Sequence, residues 1–215
     1  MSINPRELKL LKTGTTTVGV QCSDGIVLAT DRRVTSGYYI AHRRGKKIHF
    51  IDKHVAVTIA GAVSDAQRIV DNLKAEASLY RLEKSRNIRI ASLASLASTL
   101  LFEARPFIYI VQLIIGGVDD TGPALYAVDW FGSITKEKYI ATGSGTHLAL
   151  AILDSGFRPE MSVKETLPLA LKAVEAAMRI DPGSGEGIDS VIITREESRM
   201  LSDEEIKKYL SKTVK

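Results

Sequence analysis

Helical periodicity in this chain comes in adjacent pairs, not singly between strands, and that order limits the folds open to it. Thr15 to Cys22 alternates and is rich in Thr and Val, as a strand requires. Ser23-Asp24-Gly25 is a turn signal, and Ile26 to Thr30 runs back as the second arm of a hairpin. Val55 to Ile59 is a further strand. Ala66, Ile69, Val70, Leu73, Ala77 and Tyr80 then fall on one helical face, with Ser64 or Asp65 expected to cap its start. Leu93, Leu96, Ala97 and Leu100 mark a second helix, and Ser85 to Asn87 the turn between the two. Strands return at 108–117, 124–128 and 138–141. Both alternating sets of 108–117 are apolar, which predicts a strand covered on both faces. A second helix pair follows: 146–153 is short, and 162–179 opens on a Ser162/Glu165 capping box. Ile188 to Thr194 is a last strong strand, and Ser202 with Glu205 opens a polar terminal helix. Regular strand–helix alternation, and with it a doubly wound parallel sheet, is excluded. Packed antiparallel sheets covered by helix pairs are predicted; periodicity alone does not give the number of layers.

The 215 residues suit one domain with a sizeable core. At 45% hydrophobic and 25% charged the chain is too apolar for disorder. Cys22 stands alone, so a disulfide scaffold is excluded. The net charge of +4 is too small for a dedicated nucleic-acid binder. The longest apolar run, Phe107 to Val118, is too short for a bilayer, and Met1 to Gly14 lacks the apolar stretch of an export signal. A cytoplasmic protein is expected. The four histidines have no metal-ligand spacing, and neither metal nor cofactor is expected.

Chemistry concentrates in a few places. Thr15-Thr16-Thr17 after Gly14 reads most simply as an exposed or edge strand. The sharper reading is a cut after Gly14. Thr15 would then carry a free α-amine, with a pKa near 8, beside its own hydroxyl, so one residue supplies nucleophile and base. Gly14, without Cβ, would let the backbone bend for self-cleavage. Asp31-Arg32-Arg33 at a strand end is either a solvated turn or a carboxylate that holds a lysine. Arg43-Arg44-Gly45-Lys46-Lys47 is either a basic loop or the source of that lysine, whose charge would favour the neutral form of a nearby amine. Gly61 joins a strand to a helix start, where an amide can stabilise an oxyanion. Thr142-Gly143-Ser144-Gly145-Thr146 lacks the lysine and spacing of a phosphate loop. Asp181-Pro182-Gly183-Ser184 is a helix-end turn whose Asp and Ser could orient a distant partner.

In combination these motifs resemble the β-type subunits of proteasomes, the archaeal ones most. The resemblance runs through Thr13-Gly14-Thr15-Thr16-Thr17-Val18-Gly19-Val20, Asp24-Gly25-Ile26-Val27-Leu28-Ala29-Thr30-Asp31-Arg32-Arg33, Thr58-Ile59-Ala60-Gly61, Asp65-Ala66-Gln67, Gly116-Gly117-Val118-Asp119, Gly143-Ser144-Gly145 and Gly187-Ile188-Asp189. It covers the chain from Thr15 to about Thr194. It implies the N-terminal nucleophile hydrolase fold, an α+β four-layer αββα sandwich of two antiparallel sheets flanked by helix pairs. It also implies residues 1–14 as a propeptide removed by autocleavage and 15–215 as one catalytic domain. Thr15 matches the nucleophile, Asp31 and Lys47 the flanking pair, and Gly61 the oxyanion amide. Ser144, Asp181 and Ser184 match the group that orients the amine. Val34, Ile59 and Val63 match pocket-lining positions, all apolar here, so cleavage after hydrophobic residues is expected. Thr35 and Gly61 match positions whose backbone pairs with an extended substrate. Pro182-Gly183 departs from the family, where less rigid residues separate the Asp from the Ser. The implied function is a threonine endopeptidase of the 20S core that degrades unfolded proteins. The implied partners are α-type and other β subunits in stacked seven-membered rings, with a regulatory ATPase ring on the α rings; neither nucleic acid nor membrane is among them. The alternative is a β-type subunit of mainly structural duty, unprocessed or inactive without a second β type.

Overall fold

The computed structural model describes residues 14–212, so the expected propeptide, apart from Gly14, lies outside the described residues. In chain order the first half contains β1 (Thr16–Gln21), β2 (Gly25–Asp31), β3 (Val34–Ser36), β4 (Tyr39–His42), β5 (Ile48–Asp52), β6 (Val55–Gly61), α1 (Val63–Lys84) and α2 (Ile90–Glu103). The second half contains β7 (Val111–Asp119), β8 (Gly122–Val128), β9 (Ile134–Lys136), β10 (Tyr139–Gly143), α3 (Thr146–Gly156), α4 (Val163–Ile180), β11 (Ile188–Thr194), β12 (Ser198–Met200) and α5 (Asp203–Lys212).

The strands form two five-stranded antiparallel sheets, ordered β10-β1-β2-β11-β12 and β5-β6-β7-β8-β9, and β3 and β4 make a separate hairpin. Three buried clusters define the layers. Ile26, Leu28 and Val191 of the first sheet meet Ala56, Ile114 and Leu125 of the second. The far face of the second sheet packs Val57, Leu113 and Ile115 on Ile69 and Leu73 of α1 and Leu93 and Ala97 of α2. The far face of the first packs Val18, Val27 and Ala29 on Leu153 of α3 and Leu171 and Val174 of α4. The order of layers is therefore helix, sheet, sheet, helix, as the family resemblance implies. Strand β7 has the predicted double-sided burial, with odd positions 113 and 115 toward the helices and Ile114 between the sheets.

Glycines let the sheets close on each other. A Cβ on Gly19 would lie 2.8 Å from both Ile114 and Leu125, and one on Gly116 would lie 2.7 Å from Ile26. The capping box of α4 forms, with the Glu165 N–H donating to Ser162 and the Glu165 carboxylate accepting from the Ser162 N–H. The expected cap of α1 does not. Ala62 occupies the N-cap position, and Asp65 instead accepts the Ile110 N–H at 3.0 Å, fixing the segment that leads into β7. Strands β3, β4, β5, β9 and β12 carry no clear period in the sequence; all five are three to five residues long, too short to show one.

Candidate active site

Alternation along β1 decides where each threonine points. Val18 faces the α3–α4 layer, so Thr16 does too, while Thr15, Thr17 and Gly19 face the second sheet. The simple reading of the threonine run as an exposed edge is not what forms. Strand β1 lies between β10 and β2, and Thr15, Thr16 and Thr17 are all buried. The Thr16 and Thr17 hydroxyls each have a partner. The Thr17 hydroxyl lies 2.7 Å from that of Thr142 and accepts from Thr58 at 3.1 Å, which joins the two sheets. The Thr16 hydroxyl lies 2.7 Å from that of Ser184.

Asp31 ends β2 beside the start of β1. Its Oδ1 accepts the Thr16 N–H at 2.9 Å and the Lys47 ammonium at 2.6 Å. Its Oδ2 accepts the N–H groups of Arg33 at 2.9 Å and Gly185 at 3.0 Å. The two side chains are 0% and 5% exposed, so this is a buried ion pair with its lone pairs filled. Burial is the largest influence on both members. It pushes the Asp31 carboxyl above its usual range, against the pull of Lys47 and the Thr16 and Gly185 amides. It draws the Lys47 ammonium below its usual value, against the attraction of Asp31. Of the basic run 43–47, Lys47 is the member drawn inward, and the Ile59 N–H donating to the Lys47 carbonyl at 3.0 Å pins its backbone to β6.

A second polar group sits on the other side of Thr15. The Thr15 N–H donates to Ser144 Oγ at 3.1 Å, and the Ser144 and Ser184 hydroxyls both donate to Asp181 Oδ2 at 2.6 Å. The turn containing Pro182 therefore keeps both serines on one carboxylate oxygen. Arg33 holds that turn in place, donating to the Pro182 carbonyl at 2.9 Å and pairing with Glu186 at 3.2 Å. Sequence reasoning missed Arg33; its one signal was adjacency to Asp31.

Gly61 ends β6 with φ of 125°, and a Cβ there would lie 2.1 Å from the Ile110 carbonyl oxygen, so only glycine fits. A cavity of about 590 Å³ opens beside Thr15, lined by Val34, Ile59, Gly61 and Val63. Its rim carries His42, Arg43, Arg44 and Lys46, a basic surround that the apolar pocket positions did not announce. Thr35 accepts the Gly14 N–H at 2.6 Å through its hydroxyl, so in the uncut chain its side chain holds the residue before Thr15. Gly14 lies against Gly183, and a Cβ on it would fall 2.1 Å from the Gly183 Cα. The structure thus gathers every candidate residue around Thr15. A larger, more open concavity of about 930 Å³, lined by Phe50, His54, Asp119 and Arg195 among others, contains none of them. Among the described residues no group of His, Cys, Asp and Glu could hold a metal ion, and no helix is long and apolar enough to cross a membrane.

Comparison with known proteins agrees with the geometry. A family described as proteasome subunit matches residues 11–193. Proteasome subunit beta 1 of Pyrobaculum aerophilum is 56% identical over 184 residues, 85% of this chain and 91% of that protein. Proteasome subunit beta 1 of Caldivirga maquilingensis is 54% identical over 190 residues, 87% of this chain and 92% of that protein. Proteasome subunit beta of Methanoregula boonei is 43% identical over 211 residues, 98% of this chain and 99% of that protein. With a family match over most of its length and these identities, the chain belongs to the proteasome subunit family, among its β-type members.

Proposed function

We propose that this chain is a threonine-type endopeptidase subunit of a 20S proteasome core, made with a short propeptide that it removes itself. The observation that carries this reading is the setting of Thr15, whose nitrogen meets the Ser144–Asp181–Ser184 group while the buried Asp31–Lys47 pair lies beside β1.

In the uncut chain the Thr15 oxygen bonds to the Gly14 carbonyl carbon. The Thr15 hydroxyl gives up its proton, and the Gly14–Thr15 C–N bond breaks as the nitrogen takes that proton, leaving an ester and a free amine. Water then adds to that carbon, and the C–O bond breaks. The hydroxyl is restored, and the propeptide leaves with a Gly14 carboxyl group. The freed amine becomes the base for later substrates. It takes the Thr15 proton during attack on a peptide carbonyl and returns it to the leaving amine. Ser144, on the Asp181 carboxylate with Ser184, orients that amine, and the Lys47 charge favours its neutral, proton-accepting form. The Gly61 amide stabilises the oxyanion. The substrate lies extended against Thr35 and Gly61. Its P1 side chain enters the cavity at Val34, Ile59 and Val63, which favours hydrophobic residues. Equal or faster hydrolysis of peptides with an acidic P1, drawn by the basic rim, would overturn that preference.

The chain works in the cytoplasm in seven-membered β rings stacked between α rings, on unfolded polypeptides delivered through an ATPase ring. The deciding experiment is intact mass and amino-terminal sequencing after co-assembly with α-type subunits, beside a Thr15→Ala control. A new terminus at Thr15, absent from the control, is expected. An intact propeptide in a well-formed particle would overturn the reading in favour of a structural subunit.

A further inference from the structure

The cavity beside Thr15 is not apolar throughout. Val34, Ile59 and Val63 line it, and so do His49 and Gln67. The fold sets where these two stand. His49 lies opposite Val57 in the β5–β6 ladder, and directly paired residues share a face of the sheet. Val57 and Ile59 both pack toward α1, so His49 faces α1 as well. The Ile59 N–H meets the Lys47 carbonyl, which puts Ile59 level with the lysine paired to Asp31. His49 lies two residues further along β5, a step of about 7 Å away from that lysine. The chain turns back after β6 at Ala62, the N-cap of α1, so α1 runs the same way, and Gln67 stands one turn beyond Val63. The cavity is therefore apolar near Thr15 and polar at its far end.

The His49 Nε2 is buried and has no hydrogen-bond partner among the described residues. Such an atom is costly to leave unpaired, and in folded proteins nearly all of them have a partner. The ring is uncharged at neutral pH: burial draws the imidazole below its ordinary value, Lys46 and Lys74 add to that, and the Lys46 backbone and Asp71 oppose it. A neutral imidazole carries one N–H and one bare nitrogen. A hydroxyl both donates and accepts, so it pairs with Nε2 in either tautomer.

We propose that His49 is a specificity-determining residue of this cavity: a P1 tyrosine passes its ring between Val34, Ile59 and Val63 and brings its hydroxyl to the His49 Nε2, so that tyrosine is favoured over phenylalanine. This rests on the endopeptidase reading above and narrows its hydrophobic P1 to an aromatic one tipped with a hydroxyl. The sign of the preference separates two kinds of pocket. Were the cavity apolar to its end, burying a phenol without a partner would cost free energy and phenylalanine would be the better substrate. With an unpaired nitrogen at that end, phenylalanine leaves it unpaired and tyrosine is the better one.

The test uses particles assembled with α-type subunits and shown by intact mass to have lost residues 1–14. Three fluorogenic peptides differ only at P1, which is phenylalanine, 4-fluorophenylalanine or tyrosine. A single hydrogen bond is worth about three- to tenfold, so kcat/KM is expected to be about three- to tenfold higher for tyrosine than for either of the others. His49→Leu, of similar size without a polar atom, should bring the tyrosine-to-phenylalanine ratio to about one or below. His49→Gln, which keeps a donor and an acceptor, should restore part of it. The ratio compares two substrates on the same particles, so a general loss of activity or of assembly does not move it. Equal or faster hydrolysis of the phenylalanine peptide by the parent would overturn the proposal, whether or not the variants assemble. So would a His49→Leu ratio equal to that of the parent. Processed parent particles that hydrolyse none of the three peptides would instead overturn the endopeptidase reading, and this proposal with it.

Discussion

Asp31 shows what a single carboxylate can be asked to do. It accepts from Thr16, Arg33, Gly185 and Lys47, so it fixes the entry of β1, the exit of β2, the turn after α4 and the lysine before β5. Removing its charge leaves a buried ammonium without a counter-charge. Asp31→Asn is expected to destabilise the fold by about 3–5 kcal/mol, measured by thermal or chemical unfolding, and to lower kcat by about 10²–10³-fold. The pH profile gives a sharper test. Burial already draws the Lys47 ammonium down, and Asp31 is the main group opposing it. In the variant Lys47 gives up its proton at lower pH, so the alkaline limb of kcat/KM should move to lower pH. An unmoved limb would mean that the Lys47 charge is not what supports the reaction.

At the scale of elements, the packing of sheet on sheet depends on residues too small to look important. Gly116 faces Ile26 and Leu28 across the interface and lies beside Leu125 of its own sheet, with no room for a methyl group. Gly116→Ala is expected to lower stability by about 1–3 kcal/mol through overpacking, read by chemical denaturation, with little change at the distant Thr15. Much of this architecture was legible beforehand. The paired helical stripes, the two-faced β7, the Ser162 cap and the strand at Ile188–Thr194 all follow from periodicity and cap chemistry. The short strands were not legible, because three residues such as Ile134–Lys136 have no period to read. Nor was the α1 cap: Asp65 suits either its own helix or the Ile110 amide, and only the tertiary fold chooses. The site residues became legible as a set through the family resemblance; by local pattern each had an ordinary reading. The interior placement of the threonine run was hidden because the Thr17 and Thr16 hydroxyls are satisfied by Thr58, Thr142 and Ser184, which lie 41, 125 and 168 residues away.

For the molecule as a whole, Cys22 offers a probe of the global transition. It is 4% exposed, and burial pushes its thiol up to about 12. In the folded protein it should resist alkylation at neutral pH and react only as the chain unfolds, so labelling rate reports global opening. The same shift sets a pH dependence. Between about 9 and about 12 the unfolded chain has lost this proton while the folded chain keeps it, so stability should fall as pH rises through that window. A Cys22→Ala variant should lack that part of the slope. The placement of β1 has a wider consequence. Chain ends ordinarily fray, and a new end made by a cut is usually the most mobile part of a protein. Here an end made before Thr15 would sit one residue ahead of a strand laddered on both sides, Thr16 opposite Gly143 and Thr17 opposite Thr30. The sheet would thus have met the entropic cost of holding a terminus still before the terminus exists, and the fold would convert a flexible amine into a fixed reagent at the moment of its release.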